Sequence, residues 1–436
     1  MEITEKFAFP KTRRWKNHER KGRWIKYAVL AAIICAGLLS LNLAYFLDPI
    51  SFFTRISTYA FYPVTILIIN AVLDLVRPIL ETLGWMGAAR ISLHQPMFSG
   101  SAIIVLALFI VAFSLGALQN RFYCRSICPL GALLAIAARF TPLRRIVGPE
   151  CDKDLRCRRI CPSGSICEDP LHYDPSECLF CQDCISLCHL SCTAFKLGPP
   201  NPSEANTDLT RRRFVAGASA GGIIGVSIII SPSRRVLSDD LLRPPGALPE
   251  PQFLGSCVRC GQCIKSCITS TLQPSFLEGG LEGLWTPKHL MRLGFCMPDC
   301  TLCGKVCPTG AIRELSLEEK RFAKIGNAVI DRSRCIVWEQ DFSCLACDEV
   351  CPYGAIYWIE EKGVRRPYVD EKRCNGCGHC ESICPIDGAS AIRVKPSGQI
   401  RLASGSYIKE AATRGLIIEP RQDIGPKDPT KVNGEG

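Results

Sequence analysis

Sixteen of the 28 cysteines fall into four bunches between Cys257 and Cys384, and each bunch has the spacing that holds a cubane iron-sulfur cluster. Cys257, Cys260, Cys263 and Cys267 read C-x2-C-x2-C-x3-C, as do Cys374, Cys377, Cys380 and Cys384, the last followed by Pro385. Three thiolates two residues apart wrap one cluster in a single turn of chain, while the fourth points to a neighbouring cluster. The other two bunches are variants of this device. Cys296, Cys300, Cys303 and Cys307-Pro308 widen the first gap by one residue, and Cys335, Cys344, Cys347 and Cys351-Pro352 place a loop inside it. Zinc sites lack the repeated fourth Cys-Pro, and disulfide scaffolds do not repeat one spacing. The chemistry expected is one-electron transfer through a series of 4Fe-4S relays.

Eleven more cysteines lie between residues 124 and 192. Cys178, Cys181, Cys184 and Cys188 have the full spacing, whereas Cys151, Cys157 and Cys161-Pro162 match its first, third and fourth positions with Asp154 at the second. A carboxylate can replace one thiolate on an iron and makes that corner more exchangeable, so either Asp154 or the nearby Cys167 completes the site, unless Asp154 is an ordinary exposed turn residue. Exchange of fourth cysteines, as in two-cluster ferredoxins, assigns Cys151, Cys157, Cys188 and Asp154 or Cys167 to one cluster. The other takes Cys178, Cys181, Cys184 and Cys161. Cys124 and Cys128-Pro129 have no nearby partners, so they are redox-active, shared with a partner, or simply small apolar residues. Cys35 and Cys192 read as packing residues.

These ligands need elements to position them, and the 436-residue chain has room for two or three domains. Its hydrophobic content of 47% and mean hydropathy of +0.14 are high for a wholly soluble protein. Residues 27–47 and 97–118 are uncharged runs of 21 and 22 residues, each long enough to cross a hydrocarbon core of about 30 Å. Lys11, Arg13, Arg14, Lys16, Arg20, Lys21, Arg23 and Lys26 precede the first run, and Arg121, Arg125, Arg139, Arg144 and Arg145 follow the second. That positive-inside pattern places both ends of a membrane hairpin in the cytoplasm. It also accounts for the net charge of +11 without nucleic acid. Between the runs, Asn70, Asp74, Arg77 and Glu81 stack along one helical face, which reads as an amphipathic helix at the outer membrane surface kinked near Pro78, with a spanning or re-entrant segment as the alternative.

Thr210, Arg211, Arg212, Arg213, Phe214 and Val215 precede an uncharged glycine-rich stretch and resemble a twin-arginine export signal, a route for proteins folded around their cofactors. The competing assignment is a stop-transfer anchor. An even number of crossings before residue 211 keeps those arginines in the cytoplasm, and the absence of a small-residue cleavage site predicts that the segment stays as a third membrane anchor. The fold class expected is α+β: a transmembrane helical hairpin with a ferredoxin-like two-cluster segment, then a membrane anchor and a four-cluster ferredoxin-like domain. The boundaries are a basic N-terminus at 1–26, the hairpin at 27–120, the cytoplasmic two-cluster domain at 121–209 and the signal and anchor at 210–231. A linker at 232–252, the periplasmic four-cluster domain at 253–400 and a C-terminal tail at 401–436 complete the chain.

DPISFFTR, GSAIIVLALF and RFYCRSICPLGALL, followed by two ferredoxin motifs, resemble the NapH and MauN membrane components of quinol dehydrogenases. The arginine signal with four motifs, including IGNAVIDRSRC and CGHCESICPIDGASAIRV, resembles the exported NapG and MauM proteins. The chain looks like the two fused head to tail, with one C-x3-C-P hairpin where NapH has two. The resemblance implies pairing of the exported motifs first with fourth and second with third. Cys267 would then join Cys374, Cys377 and Cys380, and Cys384 would join Cys257, Cys260 and Cys263; Cys351 would join Cys296, Cys300 and Cys303, and Cys307 would join Cys335, Cys344 and Cys347. Spacing alone leaves sequential pairing open.

The function expected is a quinol dehydrogenase component or electron carrier in the bacterial inner membrane, with its C-terminal domain in the periplasm. It would hold about six 4Fe-4S clusters, draw on the quinone pool and serve a cytochrome or soluble periplasmic reductase; no nucleic acid and no substrate pocket are implied. The resemblance places quinol oxidation in the half that carries Cys124 and Cys128. No C-x-x-C-H is present and all six histidines lie outside the three membrane segments, so a bridge between membrane faces falls to quinone or a partner subunit. An accessory or maturation factor for a periplasmic metalloenzyme would share every motif; quinol oxidation by the purified protein separates the two.

Overall fold

The computed structural model describes residues 23–38, 44–82, 100–115, 122–198, 211–230 and 241–421, apart from residues 277 and 362. Two units emerge, residues 1–53 with 104–230 and residues 54–103 with 231–436. The longer helices are α1 (Trp24–Leu38), α2 (Pro49–Ile56), α3 (Tyr62–Thr82), α4 (Gly100–Leu115), α5 (Pro129–Ala138) and α6 (Arg211–Ile230). A π-helical turn at Ser57–Phe61 joins α2 to α3 without a break. Among the described residues one helix, Pro49–Pro78, is long and apolar enough to cross a membrane. The run expected over 27–47 is helical over Trp24–Leu38 and again over Ala44–Leu47, and that over 97–118 as α4 from Gly100 to Leu115. Residues 39–43, 97–99 and 116–118 lie outside the described residues, as does Thr210 of the arginine signal.

In the first unit α1 is held at its start by ion pairing. Lys26 Nζ lies 2.7 Å from Glu177 Oε1, both buried, and Arg23 donates to the Gly164 carbonyl at 2.9 Å. α6 crosses α1 with backbone in contact, since a Cβ on Gly217 would stand 2.7 Å from Ala28 Cα. Small residues permit that approach. Strand β1 (Leu143–Val147) pairs antiparallel with β2 (Thr193–Leu197), Leu143 opposite Leu197 and Val147 opposite Thr193. This pair closes the two-cluster segment by joining the chain before its first cysteine to the chain after its last.

The second unit repeats that closure twice. Ala247 bridges Ile312 around the motifs at 257–307. Strand β5 (Asn327–Ile330) pairs with β8 (Ile392–Lys395) around those at 335–384. Hairpins β3 (Leu272–Pro274) with β4 (Pro287–His289) and β6 (Ile356–Glu361) with β7 (Val364–Val369) sit inside these brackets. The strands are three to six residues long, too short to bury much apolar surface alone. The cores are built partly from cysteines: Cys351, Cys374 and Cys380 pack with Ala328, Ala355, Ile356 and Ile392, and Cys263 packs with Phe253, Leu272, Ala311 and Ile312.

The linker expected over 232–252 is folded chain from residue 241 onward, because Leu241 and Leu242 are buried and Arg243 bonds to Thr286, the Pro287 carbonyl and Glu250. The domain also runs past residue 400. Helix Tyr407–Thr413 packs Tyr407 against Ala323 and Ile400, and the Arg421 N–H reaches the Pro352 carbonyl at 2.7 Å.

Candidate iron-sulfur centres

In each motif with the full C-x2-C-x2-C spacing the backbone turns left-handed on both sides of the second cysteine. Arg259 and Gly261 flank Cys260, Phe180 and Gln182 flank Cys181, and Gly376 and Gly378 flank Cys377, all at φ between 50° and 83°. Most L-residues avoid that region, so the repeated placement is a property of the wrap. The second thiol then accepts the N–H two residues on, from Gln262, Asp183 and His379 respectively. Asp154 occupies an identical loop, flanked by Lys153 at φ 56° and Leu155 at φ 61°, and its Oδ1 accepts the Arg156 N–H at 3.0 Å.

The fourth cysteines settle the pairing, which is sequential. Cys257, Cys260, Cys263 and Cys307 line one cavity, and Cys267 lies with Cys296, Cys300 and Cys303. Cys335, Cys344, Cys347 and Cys384 line another, and Cys351, Cys374, Cys377 and Cys380 a further one. The implied pairing of first with fourth and second with third is therefore corrected. The bracketing strands are the reason, since each closes around two motifs adjacent in sequence.

These sets suit cubane clusters by their own chemistry. Each offers four thiols, and N–H groups bond to ligand sulfurs, from Ile312 to Cys307 at 3.4 Å, Ala355 to Cys351 at 3.3 Å and Ala328 to Cys374 at 3.4 Å. Such bonds tune reduction potential. Burial pushes the Cys303 and Cys347 thiols up to about 12, and the crowding of neighbouring sulfurs adds to it. Thiolates in these sites need a cation to hold them. Lys320, 5% exposed, bonds to the Met297 and Pro298 carbonyls and reaches the Cys296 thiol; Lys324, 3% exposed, bonds to the Glu371 carbonyl beside Cys374. The two halves meet where the Cys296 N–H donates to the Cys377 carbonyl at 2.8 Å. The thiol sets thus follow in the order 257, 296, 374, 335, each named by the first cysteine of the motif that gives it three thiols.

Residues 342–387 match a family model described as a 4Fe-4S dicluster domain, and residues 101–149 match one described as a 4Fe-4S binding domain. The chain is 36% identical over 210 residues to the ferredoxin-type protein NapG of Escherichia coli (strain K12), covering 45% of this chain and 88% of NapG. It belongs to the NapG/MauM family of ferredoxin-type proteins. The methylamine utilization ferredoxin-type protein MauM of Methylophilus methylotrophus is 35% identical over 193 residues, covering 42% of this chain and 82% of MauM. MauM of Methylorubrum extorquens is 38% identical over 164 residues, covering 36% and 72%. This member of the NapG/MauM family is accordingly an iron-sulfur, ferredoxin-type electron-transfer protein.

In its first unit, Cys161, Cys178, Cys181 and Cys184 line one cavity, the set expected from fourth-cysteine exchange. Cys157 neighbours Cys151, and Cys188 lies 3.3 Å from Cys192, whose thiol also bonds to Cys151. Cys192, expected to be a packing residue, is thus brought among candidate ligand thiols. Only its C-x3-C spacing from Cys188 signals this in the sequence. Asp154 Oδ2 pairs with Arg156 Nε at 2.8 Å, and Cys167 donates its N–H to the His172 carbonyl on a turn beside the Ile166–Tyr173 bridge. Cys128 is buried and caps α5 by accepting the Gly131 N–H at 3.3 Å, whereas Cys124 is exposed. Arg125 between them is buried beside Glu177 and Cys161.

In the second unit, the helix from Pro49 to Pro78 grips the first motif. Arg55 Nε donates to the Arg259 carbonyl at 3.3 Å, its guanidinium stands 4.2 Å over the Trp285 ring, and Thr58 Oγ1 donates to the Cys260 carbonyl at 3.4 Å. Lys265 Nζ lies 4.7 Å over the Tyr62 ring. A Cβ on Gly261 would meet the Tyr59 hydroxyl oxygen at 2.9 Å, so only glycine admits that buried ring.

Proposed function

We propose that this chain is a membrane-bound carrier that takes electrons from quinol and passes them to a periplasmic reductase or cytochrome. The observation that carries this reading is the grip of Arg55, Thr58, Tyr59 and Tyr62 on the loop of Cys257, Cys260 and Cys263. It joins the one described helix apolar enough for a membrane to the first set in a row of four. Bound 4Fe-4S clusters supply one-electron redox chemistry, and the chain's own residues fix their order and tune them. About six clusters follow, two in the segment between residues 151 and 192 and four in the segment from 257 to 384.

In this reading the helix from Pro49 to Pro78 lies along the outer membrane face, so an even number of crossings precedes Arg211; residues 211–230 export and anchor the C-terminal half, and the first half serves quinol in the manner of NapH and MauN. Of Cys124 and Cys128, the exposed Cys124 is the one placed for redox exchange, while Cys128 holds α5. The test compares quinol-driven with dithionite-driven reduction of the purified full-length chain. Replacing Tyr59 with Ala should slow the first several-fold and leave the second unchanged. Wild-type quinol kinetics in Tyr59→Ala and in Cys124→Ser together would overturn the reading.

A further inference from the structure

We infer that Cys192 supplies the fourth thiolate of the cluster held by Cys151, Cys157 and Cys188. The inference rests on the reading of this segment as a two-cluster ferredoxin. The second position of its first motif carries Asp154, so three thiols remain where a cubane takes four. The missing sulfur comes from the other motif, extended by one step. Cys192 follows Cys188 at the four-residue interval and lies beside Cys188 and Cys151; the Cys188 and Cys192 thiols touch at 3.3 Å, closer than two corners of one cubane stand, so each must turn about χ1 to take its own iron.

Its backbone is fixed independently of any metal. The Cys192 carbonyl accepts the Gly148 N–H at 2.7 Å, and the next residue, Thr193, opens β2 opposite Val147. The strand pair that closes the segment therefore delivers this sulfur to the cysteines it encloses. The corresponding places after Cys307 and Cys351 are Ala311 and Ala355, small core residues packed against ligand cysteines.

Asp154 sits in the second-ligand loop with its carboxylate turned to Arg156 and His189, although Oδ2 is buried without a well-formed hydrogen bond. Oδ1 accepts the Arg156 N–H, Oδ2 meets Arg156 Nε at 2.8 Å, and His189 Nδ1 lies 3.8 Å away with its Nε2 on Asp152 at 3.2 Å. Iron in sulfur clusters prefers soft thiolate to carboxylate. Ligation releases the Cys192 proton to solvent and closes the corner that a carboxylate would leave exchangeable, giving a permanent relay instead of a labile one.

The test measures iron and acid-labile sulfide per chain, with electron spin resonance, on purified full-length Cys192→Ser, Asp154→Ala and Cys167→Ser. Cys192→Ser should lose one cluster's iron or show a three-iron signal in the oxidised state, and a small added thiol should restore the four-iron spectrum. The other two variants should match wild type. Full iron with an unchanged spectrum in Cys192→Ser overturns the inference, as does a deficit that added thiol does not reverse, or loss of the cluster in Asp154→Ala or Cys167→Ser. Quinol plays no part in these readouts, so a fully loaded chain that quinol fails to reduce would defeat the proposed function and leave this assignment standing.

Discussion

Lys320 shows what a single side chain does to a cluster site. Its ammonium reaches the Cys296 thiol from within the protein, where a positive charge favours the more negative, reduced state. Replacing it with Met should lower the potential of the set built on Cys296, Cys300, Cys303 and Cys267 by on the order of 50–100 mV at an effective dielectric near 20. Potentiometric titration followed by spin resonance checks this, and an unshifted potential would refute it. His289 gives a pH dependence. Burial, with Lys320 adding, holds it down to about 3 against an ordinary value of 6.5. The folded state stays unprotonated there while the unfolded state takes up a proton below 6.5, so stability falls with pH between 6.5 and 3, by up to about 1.4 kcal/mol per unit. His289→Leu should flatten the slope of melting temperature between pH 6.5 and 5. The cysteines that line the shared cavities were legible from spacing, whereas Cys192, read as a packing residue, was not. Lys320 and His289 were not, since nothing in a lone Lys or His reveals which sulfur or core it will face.

At the scale of elements, sequence spacing identified the partner of the motif at 178–188 but left the partners of the four motifs at 257–384 open. Fourth-cysteine exchange is decided by which strands close around which motifs, and strands of four residues such as β5 and β8 carry too little periodicity to announce their pairing. The same blindness hid the folded chain at 241–252, where proline-rich composition suggested a linker while Arg243 was tied to Thr286 and Glu250. Gly376 marks a close approach that spacing cannot show: φ is +79°, and an added Cβ would meet Gly326 backbone atoms at 2.5 Å. Gly376→Ala should destabilise the C-terminal module by more than the roughly 1 kcal/mol of left-handed strain alone. A melting temperature equal to wild type would show that the Gly326 turn yields freely. Gly217 makes the same point between helices, and Gly217→Leu should part α6 from α1, read as lost cross-linking between cysteines introduced at their facing positions.

Across the whole chain, the sequence indicated an α+β protein with two groups of ferredoxin motifs, and the fold resolves these into three closures of one kind, at β1 with β2, at Ala247 with Ile312, and at β5 with β8. The compartments of these modules are a prediction from charge asymmetry: reporter fusions after Thr141 and after Ser404 should report opposite sides of the membrane. Matching sides would remove the export reading of Arg211 and Arg212. The cysteine-built cores carry a wider consequence. Cys351, Cys374 and Cys380 are three of seven buried residues in the core of the last module, so metal loading and folding draw on the same residues. A chain starved of iron or sulfide would be left without a finished interior and open to proteases. Cellular abundance of the protein would then track the supply of iron, falling in scarcity with no change in transcription.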